Sequence, residues 1–163
     1  MSLPKATYRR RFVLLAPLAL AACGFQPVYG PGGNGQLLQN RIEVDPPNAR
    51  YGYFLTREIE QKLGRGASPT FGLAVKVSTN EERLAINRAG ETTRFDLIGS
   101  VDYALRDLET GQIITSGRVE NFTGYSATGT TVATLASKQD AEKRLMVILA
   151  DQVITRLYAA DLS

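Results

Sequence analysis

From residue 41 onward the spacing of apolar positions switches between the two-residue repeat of strands and the four-residue repeat of a helix face. Arg41-Ile42-Glu43-Val44 alternates and stops at Pro46-Pro47, which predicts a short first strand, because proline cannot donate to a sheet ladder. Tyr51, Leu55, Ile59 and Leu63 then recur every four residues with Phe54 beside them. With Asn48 as N-cap and Gly64 and Gly66 closing the run, this predicts an amphipathic helix of about four turns. Phe71, Leu73, Val75 and Val77 alternate with small or polar residues and predict a second strand. In the third, Phe95, Leu97, Val101, Tyr103 and Leu105 point one way and Arg94, Asp96, Ser100, Asp102 and Arg106 the other. A loop over Asp107 to Gln112 leads into a fourth strand from Ile113 to about Tyr125, where Gly117 and Gly124 suggest bulges or a sheet edge. Ser126 to Thr131 reads as a flexible link. A last helix follows from about Leu135 to Tyr158, with Ala141, Leu145, Ile148, Leu149, Gln152, Val153 and Leu157 on one side. Asp140, Glu142, Lys143, Arg144, Asp151 and Arg156 take the rest. The order is β-α-β-β-β-α. Polar residues on the outer face of the clearest strand imply an α+β fold: a two-layer sandwich with a roughly four-stranded, mainly antiparallel sheet and two helices on one face.

Before this domain the pattern is different. Lys5 to Arg11 is positively charged, Phe12 to Leu20 is apolar, and Ala21 and Ala22 are small, the three-part layout of a secretory signal. Nine apolar residues fall well short of the ~20 that span a bilayer, and Pro17 interrupts them. Leu20-Ala21-Ala22-Cys23 resembles the lipobox of bacterial lipoproteins, in which the thiol receives a diacylglycerol, the peptide is cut before the cysteine, and the new amine is acylated. Residues 1–22 are then a cleaved signal peptide and Cys23 carries the covalent lipid. Gly24, where Asp would favour retention, points to the outer membrane. Arg9-Arg10-Arg11-Phe12-Val13 also resembles a twin-arginine signal, although Tyr8 precedes the pair where Ser or Thr is commoner, so the export route stays open. Gly24 to Asn34 holds glycines and prolines with almost no aliphatic periodicity. Residues 23–35 thus read as acylated cysteine plus flexible tether, and 36–163 as one domain. Phe25 and Tyr29 are unneeded in a plain spacer; they either dock on a partner or pack back on their own domain.

Composition narrows the chemistry. The chain has no His and no Trp, and Cys23 is its sole cysteine, which removes histidine proton transfer, His/Cys metal cages, disulfides within the chain and Cys-His nucleophiles. The formal charge of +3 is misleading, because Lys5, Arg9, Arg10 and Arg11 lie in the signal; without those four of the 19 basic residues, 15 face 16 acidic ones. A near-neutral body lacks the basic face that nucleic acid needs. Asp96 and Asp102 share one strand face ~20 Å apart, too far for a glycosidase pair, and more naturally meet arginines. Glu81 and Glu82 fall in an expected hairpin segment as solvated charges. With no Gly-x-Ser-x-Gly, phosphate loop or metal-ligand spacing, the expectation is a protein that is not an enzyme, with no catalytic residue, metal or cofactor beyond the lipid on Cys23.

Cys23-Gly24-Phe25-Gln26-Pro27-Val28-Tyr29-Gly30 resembles the start of the mature LPS-assembly lipoprotein family, LptE. Leu84-Ala85-Ile86 before Arg88-Ala89-Gly90-Glu91, the strand through Tyr103-Ala104-Leu105, and Val153-Ile154-Thr155-Arg156-Leu157 at the end of the last helix follow the same plan. The likeness spans residues 12 to 158, with nothing carried onto Ser126 to Thr131. It implies a lipoprotein on the periplasmic side of a Gram-negative outer membrane, acting as plug and assembly partner of the large β-barrel that inserts lipopolysaccharide into the outer leaflet. It also implies contact with lipopolysaccharide, whose phosphates and acidic sugars favour Arg and Lys. The candidates are Arg88 first, then Arg94 and Arg83 around a hairpin, and Lys138 near the start of the last helix. The competing class is a lipoprotein that binds envelope lipid or a small ligand for a transporter, which requires an apolar cavity between helices and sheet.

Overall fold

The computed structural model describes residues 28–30, 33–47 and 49–162. Its elements in chain order are α1 (Asn34–Leu38), β1 (Ile42–Val44), α2 (Arg50–Leu63), β2 (Phe71–Ile86), β3 (Thr92–Asp107), β4 (Ile113–Ser126) and α3 (Thr131–Tyr158). The four strands form one sheet in the order β1-β2-β3-β4. β2, β3 and β4 are antiparallel neighbours, whereas β1 runs parallel to β2, with Ile42 opposite Phe71 and Val44 opposite Leu73. The sheet is therefore mixed. The cause is the helix between β1 and β2, since a crossover returns the next strand in the same direction.

Register settles which residues face the helices. Leu73 lies opposite Leu105, Val77 opposite Val101, and Val101 in turn opposite Val119. Together with Leu55, Ile59 and Leu63 of α2 and Leu145, Leu149, Val153 and Leu157 of α3, these side chains form one core that fills the space between sheet and helices. Full burial of each such side chain is worth roughly 1.5–3 kcal/mol.

Several boundaries depart from the sequence expectation. Residue 48, the expected N-cap, lies outside the described residues; α2 starts after Ala49, which offers no side-chain cap. β2 runs on to Ile86, so Glu81 and Glu82 are strand residues of the β2–β3 hairpin, opposite Leu97 and Asp96. The register shifts fall at Arg83/Ala85/Ile86 and at Leu105/Arg106, not at Gly117 or Gly124, although β4 is indeed an edge. α3 begins four residues earlier than expected: the Thr130 side chain accepts a hydrogen bond from the Ala133 N–H, so the link shortens to residues 127–129, between the end of β4 at Ser126 and this helix cap. Glu142, assigned to the solvated side of that helix, is 4% exposed.

The hairpin joining β3 and β4 is held by Asp107, whose Oδ1 accepts from the N–H groups of Glu109 and Thr110. Those bonds, Thr110's first, lower the Asp107 pKa. A depressed carboxyl stabilises the fold above its unfolded value, near 4, and the contribution is lost as pH falls through the folded value.

Gly117 has a packing reason instead of a bulge. A Cβ there would stand 2.8 Å from the Tyr103 hydroxyl oxygen and 3.0 Å from its Cζ. Tyr103 sits directly opposite and is buried, so its ring leans across the space a side chain would fill. Gly117→Ala is expected to destabilise the domain by about 1–2 kcal/mol through overpacking, read as a lower urea midpoint at unchanged slope.

Candidate functional site

The far end of the β2–β3 hairpin gathers three of the four basic candidates. Asn87 builds the turn: its Oδ1 accepts from the N–H groups of Ala89 and Glu91 at 3.0 and 2.9 Å, and its Nδ2 donates to Glu91 Oε2 at 2.9 Å. Gly90 takes the left-handed conformation (φ 83°) that closes such a loop. Arg88 is thus presented from an ordered turn and is exposed. Arg83 lies opposite Phe95 on the helix side of the hairpin, whereas Arg94, opposite Ser126, belongs to the other face. All three are exposed, and no carboxylate forms an ion pair with any of them among the described residues.

The same hairpin exposes Leu84 (57%) and Ile86 (63%). Sequence reasoning used these two only as part of a family pattern. The signal was there: aliphatic residues at 84 and 86 flanked by Arg83 and Arg88, in a segment with no alternating partner face. The result is a cationic loop with an aliphatic flank.

Lys138 stands apart from this group. Its ammonium lies 2.5 Å from Glu81 Oε2, and that hydrogen bond raises the lysine pKa. The stability tied to a raised lysine is fully present below its unfolded value, about 10.4, and fades only as pH climbs through the folded value, so nothing changes near neutrality. Glu142 lies one helical turn further along α3. Tyr51 donates its hydroxyl to Glu142 Oε1 at 3.0 Å, and burial, then that bond, raises the Tyr51 pKa. The Arg50 guanidinium is 3.0 Å from Oε2, a charge contact whose N–H is not aimed along a hydrogen bond. Lys138, Glu81, Glu142, Tyr51 and Arg50 therefore tie α2, α3 and β2 together at one end of the core.

Of the two aromatic docking candidates, Phe25 lies outside the described residues, as does Cys23. Tyr29 stacks edge-on against Tyr158 at 5.8 Å, its hydroxyl 3.0 Å from that of Tyr158, yet remains 61% exposed. Beside it Asn34 opens the short helix α1 and donates to the carbonyls of Tyr158 and Ala160 at 2.9 and 2.6 Å. The end of the tether is thus fastened to the end of α3. Burial, and then the bond to Tyr29, pushes the Tyr158 pKa up.

Among the described residues no helix is long and apolar enough to cross a membrane. Asp102 does meet an arginine, Arg118, at 3.5 Å.

Comparison with solved structures finds the same fold in several lipoproteins. A putative lipoprotein from Caulobacter crescentus is 26% identical, with a TM-score of 0.64 over 77% of this chain and 93% of that one. Lipoprotein B from Nitrosomonas europaea is 15% identical, with a TM-score of 0.59 over 83% and 91%. The rare lipoprotein B from Shewanella oneidensis is 13% identical, with a TM-score of 0.56 over 73% and 92%. No curated protein matches the chain. The sequence pattern of the family described as LptE: Lipopolysaccharide-assembly matches residues 39–157, from the turn before β1 to the last turn of α3, and the chain belongs to that family.

Proposed function

We propose that this member of the lipopolysaccharide-assembly family is a lipid-anchored outer-membrane protein that plugs, and helps to assemble, the large β-barrel delivering lipopolysaccharide to the outer leaflet. The observation that carries the reading is the family match across the whole sheet and both long helices. The surface agrees with it. Large barrels have polar interiors, and the sheet face away from the helices exposes Lys76, Ser78, Asn80, Arg118 and Glu120. Among the described residues the space between sheet and helices is occupied by core side chains, which counts against the transporter-auxiliary alternative and the apolar cavity it needs there. Acylated Cys23 would hold the protein at the periplasmic mouth of the barrel. A mild-detergent pulldown of the tagged full-length chain from outer membranes should bring down one heat-modifiable barrel protein in equal amount. Recovery of the lipoprotein alone would favour the alternative.

Within this role the hairpin tip is the lipopolysaccharide contact. An amphiphile with an anionic head and acyl tails is met best by cations beside apolar surface, and Arg88, Arg94 and Arg83 flank Leu84 and Ile86. Lys138 joins only by releasing Glu81. Arg88→Glu with Arg94→Glu is expected to weaken lipopolysaccharide binding roughly tenfold or more, since each reversal replaces an attraction by a repulsion. Unchanged binding would remove the hairpin from the reading and leave the barrel contact standing.

A further inference from the structure

The chain becomes fixed to the domain only a few residues after Cys23. The Gly35 N–H donates to the Val28 carbonyl at 2.9 Å, and the Gln36 side chain donates to the Tyr29 carbonyl at 3.1 Å. Asn34 in turn donates to the carbonyls of Tyr158 and Ala160 at the end of α3, and the Tyr29 ring lies edge-on to Tyr158. This clasp is tightly packed: a Cβ on Gly35 would stand 2.8 Å from the Val28 carbonyl oxygen and 2.9 Å from Tyr29 Cδ1. Cys23 precedes Val28 by five residues, which span at most ~17 Å when fully extended. Without the clasp the first residue held by the core is Leu38, and the free length triples.

One end of the domain therefore stays close to whatever holds Cys23. Main-chain bonds show which end it is. Arg41 donates to the Leu38 carbonyl, Thr70 to that of Arg41, and Leu108 to that of Thr70, so α1 adjoins the start of β2 and the end of β3. β4 begins beside them, with Ile113 opposite Arg106. Tyr29, Leu37, Leu108 and Ile113 all expose apolar surface at this end. The hairpin tip lies at the other end of β3, whose 16 residues cover ~50 Å.

The geometry points to a membrane-facing end: α1, the β3–β4 loop and the start of β4 rest end-on against the phospholipid headgroups of the leaflet that holds the anchor, and the hairpin tip stands away from it. The covalent link selects the occupant, since a surface tied within ~17 Å of a lipid inserted in the bilayer lies at its headgroup layer. The side chains suit that layer. Tyr29 keeps its hydroxyl on Tyr158 and offers its ring, and Leu37, Leu108 and Ile113 offer aliphatic carbon beside polar backbone. The placement depends on the lipid at Cys23 proposed above, and it adds what the lipid alone does not fix, the orientation of the domain.

The described fold starts at residue 28, so the chain from Cys23 onward holds all of it. For the test, that chain is coupled through the Cys23 thiol to a maleimide phospholipid in phosphatidylcholine vesicles that also carry a phospholipid with a photoactivatable headgroup. Chemical coupling reads the geometry alone, whereas fractionation of Cys23→Ser reads attachment in the cell, so failure of one is separable from failure of the other. Light should place adducts on Tyr29, 33–41 and 107–113 at several times the yield on 83–94. Asn34→Ala with Gly35→Val opens the clasp, and about ten Gly/Ser residues inserted after Gly24 reach the same free length with the clasp intact. Effective concentration across a flexible link falls as about the −3/2 power of its length, so either change should lower those adducts roughly fivefold. The insertion leaves every described residue as it is, so it reads the link even where Gly35→Val disturbs packing. Adducts as frequent on 83–94 as at the α1 end, none at the α1 end, or yields that the insertion does not lower would each overturn the proposal.

Discussion

Truncating Leu149 to alanine should destabilise the domain by about 3–5 kcal/mol, the upper part of the range for buried leucines. Leu149 is fully buried at the middle of α3, and its Cδ1 reaches to 3.0 Å from where a Cβ on Gly99 would stand. Opposite it, β3 therefore has no side chain that can relax into the void. Loss of that size should lower the thermal midpoint by on the order of 10–20 °C for a domain of this length. The geometry also predicts a partial rescue. Gly99→Ala alone should destabilise, because its new methyl meets Leu145 and Leu149, but in the Leu149→Ala background the same methyl enters the cavity. A double-mutant cycle by urea unfolding should show a coupling of about 1 kcal/mol or more. Strictly additive effects would mean that Gly99 and Leu149 do not share the space assigned to them.

The strand that carries Gly99 was also the most legible part of the sequence. Leu97, Val101, Tyr103 and Leu105 alternate cleanly because one face of β3 is covered by α3 and the other by solvent. β2 shows the converse. It alternates from Phe71 to Val77 beneath the helices, then loses its pattern from Asn80 onward, where the hairpin leaves the helix layer and both faces are wet. Periodicity reports burial on one side, so a strand exposed on two sides reads as a loop, and the extent of β2 through Glu81 and Glu82 is not legible for that reason. The same absence hid the relation between Arg83, Arg88 and Arg94, which share one hairpin without sharing a face. Parallel pairing of β1, by contrast, was available from the strand-helix-strand order alone. Glu142 was hidden by its chemistry: a carboxylate on a helix is expected in water, and only Tyr51 and Arg50, about ninety residues earlier, make its burial tolerable. The helix α1 has a similar cause in part, since Asn34 donates to the distant end of α3, while the Gly35 N–H is held locally by the Val28 carbonyl.

The second large effect concerns Cys23, the residue on which the proposed membrane placement turns. Cys23→Ser is expected to move the protein almost entirely from the membrane fraction to the soluble fraction, because the proposed lipid has no other attachment point in a chain with a single thiol. Each buried CH₂ contributes ~0.8 kcal/mol, and one acyl chain alone holds a protein only marginally, with an association constant on the order of 10⁴ M⁻¹. Two or three chains exceed that by many orders of magnitude. No helix among the described residues offers a substitute anchor. Fractionation after carbonate wash, with mass spectrometry of the mature N-terminus, reads both attachment and cleavage. A variant that stays in the membrane fraction without lipid would show that another contact holds it there. The barrel itself is one such contact in the proposed role, so the same variant should be fractionated from cells depleted of the barrel protein. Membrane retention that persists only while the barrel is present would place the plug contact in the folded domain, and release in both strains would assign the attachment to the lipid alone.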